Sequence, residues 1–78
     1  MNRKPYGKTI RQELIGSAAL KLRIWRRNGG TYTAGDAIEA TCDGARPGTL
    51  GGLILAYVEG MNETAARRLE SAIEREAK

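Results

Sequence analysis

The sequence predicts a mainly α domain, a small bundle of three to four helices with a C-terminal helical hairpin. Apolar residues recur at three- and four-residue spacings over two long stretches, and Thr or Asn stands just ahead of most of the helical segments. Aromatic content is only 5%, with no Phe, so the core must come from Leu, Ile and Ala. Such a core suits close helix packing better than a β-sandwich.

Residues 1–8 read as a flexible basic arm broken by Pro5 and Gly7, and residues 9–78 as one small helical domain. The first helix starts at Thr9, because Thr9-Ile10-Arg11-Gln12 fits a capping box. Ile10, Leu14, Ala18, Leu22 and Trp25 form its apolar stripe. Arg11 and Lys21 fall inside that stripe, Leu20 and Ile24 outside it, and Gly16 costs about 1 kcal/mol relative to Ala. Two readings of its end stand. Either the helix runs to about Arg27 and stops at Asn28-Gly29-Gly30, which we favour, or the chain is α+β with a basic β-hairpin turning at Asn28-Gly29.

Thr33 caps a short second helix with Asp36 in its first turn and Ala37, Ile38 and Ala40 as its apolar face. Cys42 to Gly48 is a loop. Leu50, Leu53, Ile54, Tyr57, Val58 and Met61 then make a core stripe that ends at Gly60, read as a residue just past the helix. Asn62 caps the last helix, which turns Ala65, Ala66, Leu69, Ala72, Ile73 and Ala77 inward. Its wet face carries two i,i+4 pairs, Glu63/Arg67 and Glu74/Lys78.

Charge is unevenly spread. The chain is +4 overall, yet residues 1–27 hold eight basic groups against Glu13 alone, a net +7, and residues 28–78 come to −3. A positive end of that strength attracts polyanions. Arg3, Lys4, Lys8, Arg11, Arg23, Arg26 and Arg27 are the phosphate-neutralising candidates, Arg46 joins them from the loop, and Trp25, Tyr6 and Tyr32 lie among them as stacking groups. The leading expectation is therefore a small nucleic-acid-binding or regulatory protein. The alternative is a compact inhibitor or adaptor that docks Trp25, Arg26, Arg27 and Tyr32 on an acidic partner protein.

A helix-turn-helix built on residues 34–42 and 49–60 fits poorly. Its loop is too long, and the second helix opens Thr49-Leu50-Gly51-Gly52, which has little to read base edges. The Gly44–Gly52 loop lacks the Gly-Lys-Ser/Thr of a phosphate loop and reads as an ordinary turn ahead of an anion site. Gly48, Gly52, Ala56 and Gly60 place small residues along one side of the third helix. The first or last helix crossing tightly there is the preferred explanation; a homodimer seam is the other.

No enzyme is expected. The chain has no His, one cysteine (Cys42) and no nucleophile–base pair, and it lacks a ligand set for a metal or a cofactor box, so neither cofactor nor small-molecule substrate is anticipated. The longest apolar run, Leu53 to Val58, is too short for a bilayer, and Arg11 and Lys21 argue against surface attachment through the first helix. One cysteine and no signal-peptide core make the reducing cytoplasm the expected compartment.

Overall fold

The computed structural model describes residues 9–78, and those residues form four helices and no strand. Helix α1 (Ile10–Arg27) begins at the expected box. The Thr9 hydroxyl oxygen accepts from the Gln12 amide at 3.1 Å, while the Thr9 amide donates to Gln12 Oε1 at 2.9 Å. Together they satisfy two of the orphan donors of the first turn.

At the other end the helix reading holds and the hairpin does not form. Gly29 takes a φ of +91°, its amide donates to the Arg26 carbonyl at 3.1 Å, and the Gly30 amide donates to the Trp25 carbonyl at 2.9 Å. That pair of bonds is a Schellman stop, which needs the left-handed backbone that Gly supplies without strain. Leu20, Leu22 and Ile24 alternate along the chain as the first strand of such a hairpin would. Only Leu22 of the three is buried, because the 3.6-residue period sets which side chains face the core.

Helix α2 (Ala34–Cys42) carries a second reciprocal cap, Thr33 with Asp36, at 2.9 and 3.1 Å. Its buried face is Ala34 and Ala37, with Ile38 and Cys42 partly covered. Helix α3 (Leu50–Glu59) is capped by Thr49, whose oxygen accepts from the Gly52 amide at 3.1 Å. Helix α4 (Glu63–Ala77) is capped by Asn62, which accepts from the Ala65 amide at 2.8 Å.

Helix α1 is the hub and packs against each of the other three. Consecutive helices α3 and α4 lean on α1 more than on each other. The centre is closed by Leu14, Leu22, Leu69 and Ile73, all fully buried, with Ala18, Ala19, Ala37 and Ile54 around them. Small alanines at 18, 19, 34 and 37 let the backbones of α1 and α2 come close. Among the described residues no polar side chain is buried, so the interior carries no desolvated charge.

The expected stripe of α3 is only half right. Ile54 is buried and Tyr57, Val58 and Met61 pack partly on the core, but Leu50 and Leu53 remain 50% and 55% exposed. Helix α3 packs mainly on α1 and α2, so it buries a narrower arc than its apolar residues span. Gly60 ends the helix where the sequence placed the stop, as the residue after Glu59, at φ −85°, a conformation open to any residue. Among the described residues no helix is long and apolar enough to cross a membrane.

Candidate nucleic-acid interface

The basic residues that lie close in sequence separate in space. Arg3, Lys4 and Lys8, together with the arm read at residues 1–8 and Tyr6, lie outside the described residues. Arg11 sits in the first turn of α1, whereas Arg23, Arg26 and Arg27 sit in its last two turns. At 1.5 Å per residue that is roughly 18–24 Å along the axis.

Two of those three distal arginines are occupied by α4. Arg23 donates to the Glu76 carbonyl at 2.8 Å, satisfying an acceptor in the last turn of α4, where the helix dipole favours a cation. Arg26 donates to both carboxylate oxygens of Glu74, at 2.8 and 2.9 Å, and to the Tyr32 carbonyl at 3.0 Å. The bidentate hydrogen bond raises the Arg26 pKa, and the same bond lowers that of Glu74. Glu74 is thus tied to Arg26, and the expected Glu74/Lys78 ion pair is absent among the described residues, while Glu63–Arg67 forms at 2.9 Å.

Trp25 is half-buried against the core and meets the Tyr32 ring, centroids 4.7 Å apart and tilted by 48°. A methyl group at Gly30 would run into the Tyr32 ring, so the glycine is what lets Tyr32 fold back over the end of α1. These two aromatics join the hinge between α1 and α2 to the core. Arg27 and Arg46 are exposed, and Lys21 donates to Ser17 Oγ at 2.9 Å.

Gly52 has a reason other than a helix crossing. A methyl group there would strike the Arg46 carbonyl, so the close approach at α3 is made by the chain's own α2–α3 loop. Gly48 turns the chain into α3 at φ +84°, while Ala56 and Gly60 are exposed. Burial, with Glu59 adding to it, pushes the Cys42 thiol up and keeps it in the unreactive protonated form. No cluster of three metal-ligating side chains occurs among the described residues.

The structure also assembles a basic surface that counting along the chain conceals. Arg11 of α1 and Arg67, Arg68 and Arg75 of α4 line one open groove of about 340 Å³ around the Ser71 hydroxyl, and no described carboxylate lines it. Among the described residues Arg67 alone of the four has an ion pair, with Glu63. A second hollow of about 370 Å³ shares Arg11 and Arg68 with the first, and continues past Tyr57, Met61 and Asn62. Residues 28–78 are acidic in sum, but Glu70 and Glu74 face a neighbouring hollow beside Gly35 and Arg67. The available signal was spacing: Arg68 and Arg75 stand seven residues apart, two turns of one helix face, with Ser71 between them.

Comparison with protein families, with curated proteins and with solved structures gave no match to this chain.

Proposed function

We propose that this chain is a small non-enzymatic nucleic-acid-binding protein, acting in the cytoplasm, that holds the phosphate backbone in the groove between α1 and α4. The observation that carries this reading is the meeting of Arg11, Arg67, Arg68 and Arg75 on one surface with no carboxylate among its described lining. Arg11, Arg68 and Arg75 have no ion-pair partner among the described residues, so their like charges repel one another, and a polyanion relieves that repulsion while releasing its own counterions. Guanidinium groups also match phosphate oxygens in a planar fork. Fluorescence anisotropy of labelled DNA and RNA, titrated with salt, tests it. Binding that weakens steeply as salt rises, and that drops when Arg68 and Arg75 are replaced, supports the reading; no binding at low salt refutes it.

A second reading rests on Leu20 and Ile24, 53% and 42% exposed four residues apart on α1, with Arg27 beyond them. That row suits an acidic amphipathic partner protein. Leu20→Asp would abolish such docking and leave phosphate binding in place. Self-association through Gly48, Ala56 and Gly60 belongs to the same class of reading, and light scattering decides it.

A further inference from the structure

We infer that the hollow continuing from the arginine groove is a seat for an unpaired base, so that the preferred ligand is single-stranded nucleic acid. The inference rests on the phosphate-binding reading of the groove and specifies what lies beside the phosphate.

Three features of the hollow point to a base. Tyr57, in the last turn of α3, and Met61, just past the end of that helix, both line the recess. Each also packs partly on the core, which holds the pair in place as a platform and leaves the remaining surface open. An aromatic ring next to a polarizable thioether favours a flat, apolar, π-rich partner. Arg11 and Arg68 line this recess and the phosphate groove alike, so a base on the platform and its own phosphate are reached from the same two guanidinium groups. Arginine planes beside an aromatic platform are the usual surroundings of a stacked nucleobase.

Asn62 adds a polar edge. Its Oδ1 accepts from the Ala65 amide at 2.8 Å as the cap of α4, which orients the side chain. The amide NH2 group makes no hydrogen bond among the described residues and is a donor for a base carbonyl. In a duplex the bases are stacked inside and present only their edges, whereas this surface offers a recess lined by an aromatic side chain. A recess with a platform takes a base that has left the stack.

The test uses the full chain and two labelled strands of about 15 nucleotides, one of thymidines and one with the same phosphates but abasic sugars. Matched charge makes the phosphate contribution the same for both. The thymidine strand is expected to bind about tenfold tighter. Tyr57→Leu is expected to erase that difference while leaving abasic-strand binding unchanged. Equal, salt-sensitive binding of the two strands overturns the base seat and leaves the phosphate groove standing. Absence of binding to both strands overturns the groove and the seat together. Should Tyr57→Leu fail to fold, the comparison of the two strands on the unaltered chain still decides the matter.

Discussion

Arg26 grips both carboxylate oxygens of Glu74, 48 residues further along the chain, at 2.8 and 2.9 Å. With Arg23 on the Glu76 carbonyl, it fastens the last turns of α1 to the last turns of α4. Two of the eight basic groups in residues 1–27 thus hold the fold together.

That pair gives stability a pH dependence with a definite sign. The Arg26 hydrogen bond holds the Glu74 pKa below its ordinary value. A depressed carboxylate contributes stability that is fully present above its unfolded pKa, about 4.3 for Glu, and is lost as pH falls through the folded value. Thermal melts of the unaltered chain and of Glu74→Gln are therefore expected to differ most near neutral pH and to converge in acid. Both side chains are 41% exposed, so solvent screens the pair and the difference should be small. A gap that widens below pH 4 would contradict the assignment.

Two glycines inside helices should respond to Ala in opposite directions. At Gly16 an added methyl group meets nothing within 4 Å, so Gly16→Ala should recover helix propensity of about 1 kcal/mol. For a domain of this size that raises Tm by about 4–8 °C. At Gly52 the same methyl group strikes the Arg46 carbonyl, and the loop must yield. Gly52→Ala should cost about 1–3 kcal/mol of overpacking, partly offset by the same propensity gain. Paired thermal or urea melts read both signs.

Much of this fold was legible because its signals are local. Thr9 with Gln12, Thr33 with Asp36, and Asn62 each cap a helix through bonds that reach three residues ahead. Asn28-Gly29-Gly30 stops α1 through backbone bonds to Trp25 and Arg26. A helix or hairpin start reads alike in such a turn, and the periodicity of Leu14, Ala18 and Leu22 upstream decides for the helix. Long-range partners left no such trace. Nothing near Arg23 or Arg26 announces α4, and nothing near Leu50 or Leu53 says that no helix covers them. The arginine groove escaped for a related reason. Charge summed along residues 28–78 is negative, while the surface sorts Glu70 and Glu74 to one side of α4 and Arg68 and Arg75 to another.

Exposure decides what leucines are worth here. Leu69 is 1% exposed within the closed centre, and Leu69→Ala should cost about 2–5 kcal/mol, a large part of the stability of so small a domain. Leu53 is 55% exposed, and Leu53→Ala should stay within about 0.5 kcal/mol. Urea denaturation of the two variants separates them. An equally severe loss at Leu53 would mean that α3 buries a face this structure leaves open.

Arginine substitutions separate binding from scaffolding. Arg68 and Arg75 line the groove and have no ion-pair partner among the described residues, so Ala at either should weaken binding to a single strand at every salt concentration. Each phosphate contact removed should also lower the slope of log K against log salt by about 0.7. Arg23 does not line the groove and donates to the carbonyl of Glu76 at the end of α4. Arg23→Ala should lower Tm and leave both the affinity and the salt slope of the folded protein unchanged. Anisotropy titrations at several salt concentrations, run beside thermal melts, give both quantities for all three variants. If Arg23→Ala reduced the salt slope as Arg68→Ala does, the contact surface would lie along α1, where the charge count first placed it, and the α1–α4 groove would lose its role.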